Sequence, residues 1–224
     1  MPIPRHGLKP TRPDSDRRVA KGIRAGLTVL AAGALAIVPV TSATAASAKR
    51  TAAKHHRRHA RADSGCPGAN ASVGNTAPSV LRSAVVCLIN QQRALHHLPA
   101  LRSSGQLNHS AQDWTNVMVS SDQFTHGANF AGRISASGYV WRAAGENIAT
   151  GYSTPRTVVH AWMASAGHCQ NILNPSYRNV GTGISPHPVK GYASGLGTWT
   201  QDFALGMHQS APSGNTGPMQ GCPY

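Results

Sequence analysis

The hydrophobic residues of this chain recur with helical spacing over a long central stretch. From Ser79 onward they stand three and four positions apart, which predicts an amphipathic helix capped by Ser79 and ending near Leu98, because Pro99 disfavours helix there. A second helix is predicted from Ser103 or Ser104. The apolar positions of the two helices are Leu81, Ala84, Val85, Leu88 and Leu95 in the first, and Leu107, Ala111, Trp114 and Met118 in the second.

Further helices are predicted before the pattern changes its period. A short helix runs through Ile134 and closes at Gly138, and the pair Thr154-Pro155 is typical of an N-cap followed by a first helical residue. Residues 168–173 are predicted to form a brief turn. Larger residues then alternate with small ones over 180–185, and Trp199, Gln201 and Phe203 alternate with Thr198, Thr200 and Asp202, which predicts two paired antiparallel strands joined by the loop 186–197. Helices first and strands last indicate an α+β domain.

The N-terminus has the layout of a secretory signal, so residues 1–48 are predicted to be removed on export. A basic segment precedes the uncharged apolar run 26–40, and small residues with two A-x-A sites follow. The alternative is a retained membrane anchor, but the run is shorter than the about 20 residues that a spanning helix needs. Export through the Sec pathway is favoured over twin-arginine export, because Ala20 and Lys21 follow Arg17-Arg18 where bulky apolar residues are usual.

The net charge of +14 comes mostly from residues outside the predicted domain. Most of the 21 lysines and arginines precede Cys66, in the signal or in the segment 49–65, which is predicted to be a basic, disordered linker. Its cluster 54–59 (KHHRRH) is interpreted as a solvated spacer, with binding of an anionic wall polymer or a metal ion as the alternative. The domain 66–224 has an ordinary charge and no basic stripe that would indicate a nucleic-acid groove. We expect it to be soluble and monomeric, with no membrane span after cleavage.

Four cysteines in an exported chain favour disulfides over metal ligands. Three pairings are open. The favoured one is Cys66–Cys87 with Cys169–Cys222, because each bond would tie a chain end to a helical segment of the core.

Glu146 is the only glutamate in the chain, and it stands between Gly145 and Asn147. Glutamate is normally a common surface residue, so its single occurrence suggests a functional position. A structural cap that accepts hydrogen bonds from backbone amides would explain it as well.

Several motifs that include Glu146 occur in a recognisable order. They are CLINQQR (87–93), FTH (124–126), AGENIA (144–149), VHAWM (159–163), GHCQNIL (167–173), VGTG (180–183) and TWTQDF (198–203). The ordered set resembles the bacterial branch of the CAP superfamily, the SCP or pathogenesis-related-1-like secreted proteins. The resemblance covers residues 80–206. It implies an α-β-α sandwich, in which helices flank a central antiparallel sheet.

The resemblance also implies a cleft with a His-Glu-Glu-His group that binds divalent metal in some members. By motif, His126 matches the first histidine, Glu146 one glutamate and His168 the second histidine. Where many eukaryotic members carry the other glutamate, this chain has Met163-Ala164-Ser165. Ser165 is therefore included at the rim of the candidate site.

The chemistry of these residues allows more than one function. Two neutral imidazoles and one carboxylate are an adequate set of ligands for Zn²⁺ or another divalent metal, with a fourth position open for water. The expected function is a secreted, extracellular binding or interaction module whose cleft, formed by His126, Glu146 and His168, binds a metal, a small ligand or a cell-wall component. The structural alternative is a hydrogen-bonded network that only holds loops over the sheet.

Two further alternatives belong to other functional classes. The first is a metal-dependent hydrolase of peptide or wall material, in which the same three residues would be catalytic and a zinc-bound water would attack. The second is a lipid or sterol carrier, for which the loop 186–197 offers Val189, Tyr192 and Leu196 as large apolar contacts.

Overall fold

The computed structural model describes residues 65–211 and 222–224. The predicted signal and almost all of the predicted linker lie outside these residues. The described residues form five helices and four strands. The helices are α1 Pro78–Leu95, α2 Gly105–Ser121, α3 Phe130–Ala136, α4 Pro155–Met163 and α5 Ala166–Ile172, and the strands are β1 Arg102–Ser103, β2 Trp141–Thr150, β3 Asn179–Ser185 and β4 Thr198–Gly206.

The four strands form one sheet in the order β1-β3-β4-β2. The pairs β3–β4 and β4–β2 are antiparallel, and the two residues of β1 add a short parallel strand beside β3. The long strand β2 therefore lies at one edge of the sheet. Every residue of β4 is buried, as expected for a strand with neighbours on both sides and helices on both faces.

Helices cover both faces of this sheet. Val180, Trp199 and Phe203 point to one face, where they share the main hydrophobic core with α1, α4 and α5. Ala204 points to the other face and packs with Leu107 of α2 and with residues of α3. The architecture is thus an α-β-α sandwich of the α+β class, which confirms the predicted fold.

The closest contact between layers depends on two glycines of β3. A Cβ atom at Gly181 would collide with the backbone of Leu107, and one at Gly183 with the backbone of Ala111. Helix α2 consequently lies directly on the strand. Packing therefore explains the Val-Gly-Thr-Gly alternation of the sequence. Glycine leaves one face of β3 without side chains, so that helix α2 can approach the strand closely.

Several local predictions are confirmed. The Ser104 hydroxyl accepts a hydrogen bond from the amide of Leu107 at the start of α2. Thr154 and Thr157 form a reciprocal capping box at the start of α4, with Pro155 as the first helical residue. The two predicted strands fall within β3 and β4 and pair antiparallel.

The ends of α1 differ from the prediction. The helix begins at Pro78, with Ala77 rather than Ser79 at the N-cap position, because proline at the first helical position needs no amide partner. It ends at Leu95, since His97 adopts a left-handed backbone conformation (φ 57°) and the Leu98 amide returns to the Arg93 carbonyl. Local backbone geometry therefore ends the helix before Pro99 does.

Two further elements differ. Residues 168–173, predicted as a turn, belong mostly to helix α5. The ten-residue strand β2 was not predicted, because its alanines, glycine, glutamate and asparagine have low intrinsic preference for strands. Pairing with the buried strand β4 along its length forms it instead.

Both disulfides have the favoured pairing. Cys66 is bonded to Cys87 in α1, and Cys169 in α5 is bonded to Cys222 near the C-terminus. Such bonds are typical of oxidising compartments. Within the described ranges, no helix combines the length and the apolar character needed to cross a bilayer.

Candidate functional site

Glu146 lies in the middle of the edge strand β2, and its side chain is only 1% exposed. Both of its oxygens have partners. One oxygen is 2.8 Å from Nδ1 of His126, and the other accepts a hydrogen bond of 2.5 Å from Nη2 of Arg133. A buried carboxylate needs such partners to offset the loss of hydration. The solitary glutamate of the sequence is therefore the centre of a buried ionic cluster.

Arg133 has two further contacts besides Glu146. It comes from the last turn of α3, its guanidinium lies 3.8 Å above the ring of Trp114, and its Nη1 donates to the carbonyl of His126. The Trp114 indole in turn donates to the carbonyl of Thr125. Stacking on an aromatic face and an ion pair with a carboxylate are both favourable for arginine. These contacts fix the segment 124–126 over Glu146.

A second carboxylate lies beside the first. Asp202 is the cross-strand partner of Glu146 on β4 and is 1% exposed. Burial, and then the charge of Glu146, raises the pKa of Asp202 to about 8, although the hydroxyl of Ser110 donates a 2.7 Å hydrogen bond to one of its oxygens. Its other oxygen accepts no hydrogen bond from a donor within the described part of the chain. The neutral acid is therefore the favoured form of Asp202 at neutral pH.

His168 is presented by α5 on the other side of β2. The Asn147 side-chain amide donates to the carbonyl of His168, and the Asn171 amide donates both to the Asn147 side chain and to the Glu146 carbonyl. Burial, and then the positive charge of His126, lowers the pKa of the His168 imidazole. The two histidines are thus close enough to influence each other, and His168 is neutral at pH 7.

His168 and Ser165 also line a cavity of about 380 Å³ at the edge of the sheet. The cavity lies beside the end of β2, and aromatic rings form much of its wall. Tyr192, from the loop 186–197, contacts Phe124 with ring centroids 5.7 Å apart, so the two rings form a continuous apolar surface. The residues lining the cavity are Phe124, Ile148, Ala149, Thr150, Tyr152, Ala161, Trp162, Ser165, His168 and Tyr192. We call this cavity the aromatic cleft.

The structure thus brings the candidate residues into two connected groups. His126 and Glu146 are in direct contact, whereas His168 and Ser165 lie on the wall of the aromatic cleft. Within the described ranges, no three side chains of histidine, cysteine, aspartate or glutamate are arranged as a ready metal site.

Sequence reasoning missed two members of the ionic cluster. Asp202 left a signal that was not used, because a charged residue in the apolar strand pattern of 198–203 must be buried among neighbours. Arg133 left no such signal in the sequence, because its contact with Glu146 depends on how helix α3 lies against β2. Tyr192 was named only as an apolar contact of its loop, and its position in the cleft wall is a tertiary feature.

Comparison with known families gives a result that agrees with the fold. The model of the cysteine-rich secretory protein family, CAP, matches residues 86–203, which is more than half of the chain. The chain therefore belongs to the CAP family. This range includes His126, Glu146, His168 and the whole ionic cluster.

One bacterial relative extends the comparison. The uncharacterized protein YkwD of Bacillus subtilis (strain 168) is 35% identical over 129 residues, which cover 56% of this chain and 47% of the relative. The chain thus spans about half the length of that protein.

Two solved bacterial structures are also similar to part of this chain. One is an extracellular protein with an SCP domain from Bacillus anthracis, at 24% identity and a TM-score of 0.49, covering 58% of this chain and 44% of that chain. Another is a cysteine-rich secretory protein from Staphylococcus aureus, at 21% identity and a TM-score of 0.49, covering 58% of this chain and 40% of that chain.

Proposed function

We propose that this chain acts outside the cell as a binding module whose aromatic cleft holds a small ligand against His168. The observation that carries the proposal is the cleft itself: a cavity of about 380 Å³ lined by aromatic rings, with an imidazole and a hydroxyl on its wall. Apolar walls with a few polar groups are the usual composition of small-molecule sites. The N-terminal signal pattern and the two disulfides support an extracellular location.

The ionic cluster supports a positioning role behind this cleft. Glu146, Arg133 and Trp114 hold the segment 124–126, and Phe124 at its start forms part of the cleft wall. In the same way, Asn147 and Asn171 hold the helix that carries His168. A site built on such supports is pre-organised, which reduces the entropy lost when a ligand binds.

A fragment screen by NMR tests this proposal. Uniformly ¹⁵N-labelled protein would be titrated with small aromatic and aliphatic compounds, and the amide shifts would be mapped onto the structure. We expect hits that shift the amides of residues 148–152, 161–168 and 192 together. Binders that leave these amides unchanged, or a complete lack of binders, would contradict the proposal.

A pair of variants supplies the control for the screen. Tyr192→Ala removes an aromatic wall whose ring is mainly exposed, so it should weaken the hits without affecting the fold. Val117→Ala truncates a comparably exposed apolar residue that does not line the cleft, and it should leave the affinities unchanged.

A second candidate function is divalent-metal binding by the two histidines. The supporting observation is that Nδ1 of His126 is held by Glu146, which leaves Nε2 to face away from the carboxylate, while His168 is neutral and nearby. A carboxylate behind a metal-binding histidine fixes its tautomer and orientation. Zn²⁺ binds neutral imidazole and would supply a Lewis acid.

For a metal site, the structure differs in one respect from the prediction that His126, Glu146 and His168 are all ligands. Both Glu146 oxygens are already occupied, and one of them by the permanent cation Arg133. Direct ligation by Glu146 would place a metal cation next to this guanidinium. We therefore propose His126 and His168 as ligands, with Glu146 orienting His126.

Zinc calorimetry distinguishes these roles. We expect one saturable site that is lost in both His126→Ala and His168→Ala. In Glu146→Gln the affinity should fall by about 10- to 100-fold, the size of effect typical of residues behind a metal ligand, without disappearing. The variant His109→Ala, at an exposed histidine on α2, is the matched control. If the wild type binds no zinc, or binds it equally in all variants, the metal role is excluded.

A further inference from the structure

We propose that the protein has a second ligand site, which binds the phosphate group of a small phosphate ester. The site is a pocket of about 510 Å³ that is lined by residues of α1, β1 and α2. Because β1 and β2 are the two edge strands of the sheet, this pocket and the aromatic cleft lie at opposite edges. We call it the Arg82 pocket, and its lining residues are Ser79, Arg82, Ser83, Val86, Cys87, Ser103 and Asn108.

Arg82 carries a positive charge that no carboxylate of the described residues neutralises. It forms no ion pair with an aspartate or glutamate of these residues, and no acidic side chain lines its pocket. Burial lowers the pKa of the guanidinium, but arginine stays protonated in proteins. Charges that are taken out of water are normally paired. The half-buried guanidinium therefore favours an anion in the pocket.

Two hydrogen bonds hold the guanidinium of Arg82 in one orientation. Its Nε donates to the carbonyl of Thr182 in β3, and its Nη2 donates to the side-chain oxygen of Gln112 in α2, both at 2.8 Å. The same Gln112 oxygen accepts a hydrogen bond from the amide of Ile184, so this partner is itself fixed. Nη1 donates to no group of the described residues. Arg82 is therefore pre-organised, and little side-chain entropy is lost when Nη1 pairs with an anion.

Two serine hydroxyls of the pocket can donate to the same anion. The Ser103 hydroxyl accepts a 3.3 Å hydrogen bond from the side-chain amide of Asn108, which leaves its own proton for a ligand. The Ser79 hydroxyl, in the first turn of α1, makes no hydrogen bond to another described residue. Ser83 differs, because its hydroxyl donates to the carbonyl of Ser79. An anion in the pocket therefore meets Nη1 of Arg82 and two further donors.

The arrangement of these donors favours a tetrahedral anion over a carboxylate. Arginine binds a planar carboxylate best through two parallel hydrogen bonds. The edge of Arg82 that carries Nε and Nη2 is already occupied by Thr182 and Gln112. The remaining donors come from α1 and from β1, on different sides of the pocket. A phosphate group has several acceptor oxygens that point in different directions, so it can use all of these donors at once.

The size and the polarity of the pocket indicate what carries the phosphate. A cavity of about 510 Å³ is in the range of small-molecule sites and holds more than a phosphate group alone. Most of its lining residues are polar, and only Val86 and the disulfide-bonded Cys87 add apolar surface. We therefore assign the ligand to the phosphate esters of small polyols, whose hydroxyl groups can pair with a polar wall.

NMR titration of the folded, disulfide-bonded chain with matched probes tests this assignment. Glycerol 3-phosphate is the monoester, glycerophosphoglycerol carries the phosphate inside a chain, and glycerate carries a carboxylate instead. We expect at least one phosphate probe to shift the amides of residues 79–83 and 103–108 together and to leave residues 148–152 and 161–168 unchanged. Glycerate should bind about threefold to tenfold more weakly, the range for a partly exposed charge-assisted contact. The tighter of the two phosphates identifies a terminal or a chain phosphate as the ligand group.

Matched variants locate the binding. Arg82→Gln should weaken the phosphate probe by about tenfold or more, because a hydrogen bond to a charged group is lost. Arg142→Gln removes the same charge from β2, at the other edge of the sheet, and should leave the affinity unchanged. Arg82 also links α1 to β3, so thermal unfolding must verify that its variant folds. Ser79→Ala and Ser103→Ala avoid this difficulty and should each weaken the probe about threefold to tenfold, whereas Ser120→Ala, at an exposed serine outside the pocket, should not.

Three results would overturn the assignment. If neither phosphate probe shifts the amides around Arg82, the pocket is not a phosphate site. If the affinity is unchanged in a folded Arg82→Gln protein, or in both serine variants, the probe binds elsewhere. If glycerate binds as tightly as the phosphates, the phosphate class is wrong. Each result is independent of the fragment screen, because the residues that line the Arg82 pocket and the aromatic cleft do not overlap.

Discussion

His126 and His168 lie on two sides of the same strand, and the protein treats them differently. The imidazole of His126 is clamped to a buried carboxylate that is also paired with Arg133. His168 has a lowered pKa and faces a cavity. The first arrangement is closed, because the charges of Glu146 are offset within the protein. The arrangement around His168 is open, because the polar groups of His168 and Ser165 face a cavity that a ligand can enter. The same residue type, histidine, therefore has a positioning role at His126 and a proposed binding role at His168.

The largest effect on stability should follow from removing the ion pair between Arg133 and Glu146. Arg133→Met would leave the Glu146 carboxylate, 1% exposed, with the imidazole of His126 as its remaining side-chain partner. We expect the free energy of unfolding to fall by about 3–5 kcal/mol, the usual cost of an uncompensated buried charge. Urea unfolding measures this loss. Arg142→Met, at an exposed position of β2, is the control, and an equally small loss in both variants would mean that Arg133 does not compensate the carboxylate.

The next effect depends on pH and concerns Asp202. Its pKa is about 8 in the folded protein, mainly because of burial, and about 4 in an unfolded chain. Between these values the folded state binds more protons, so the stability from this group is full below about pH 4 and is lost as the pH rises to about 8. We therefore expect Asp202→Asn to be more stable than the wild type at pH 8, by about 4 kcal/mol, and nearly equal at pH 4.

Urea unfolding of both proteins across this pH range measures the difference. Asp113→Asn, at an exposed aspartate, is the control and should show little change. A constant difference between wild type and Asp202→Asn at all pH values would mean that Asp202 does not titrate there.

A smaller effect is expected at His168 itself. Since its folded pKa lies below the unfolded value, the unfolded chain binds the proton more readily, and the stability from this group is lost as the pH falls below about 6.5. His168→Ala should change the free energy of unfolding by less than about 1 kcal/mol at pH 7. It should also flatten the decline toward pH 5. Thermal unfolding at both pH values checks this, and an unchanged decline in the variant would assign the effect to another group.

The smallest effect on stability is expected at Tyr192, in the wall of the aromatic cleft that His168 faces. Tyr192 is 55% exposed, so Tyr192→Ala should alter the free energy of unfolding by less than about 0.5 kcal/mol. The same change should weaken ligands of the aromatic cleft, because one apolar wall is lost. Circular dichroism during heating and ligand titration are the two measurements. A large loss of stability would mean that Tyr192 belongs to the core rather than to a binding surface.

How far the sequence predicted this site depends on the residue. The position of Glu146 was signalled by its uniqueness and by motif order. Asp202 is its neighbour only because β2 pairs with β4 in a register that places the two carboxylates opposite each other. The strand β2 could not be predicted, since its residues have weak local preference and its pairing is with a strand more than fifty positions away.

Local signals were sufficient where the physical cause is local. The caps at Ser104 and Thr154 bond to amides within their own helices, and the glycines of β3 alternate because one face of the strand is bare. The sequence left three cysteine pairings open, and the structure has the favoured one, in which each bond joins a chain end to a helix of the core.

The sequence by itself determined the α+β class, the family resemblance and the identity of three candidate residues, and it favoured one of three possible cysteine pairings. Only the tertiary structure decided that Arg133 compensates Glu146, that Asp202 is its neighbour, and that His168 and Tyr192 line one cavity. The physical reason is that caps, turns and amphipathic faces depend on residues a few positions apart. Charge compensation and cavity shape depend on side chains that meet only after the sheet and its two helical layers have formed.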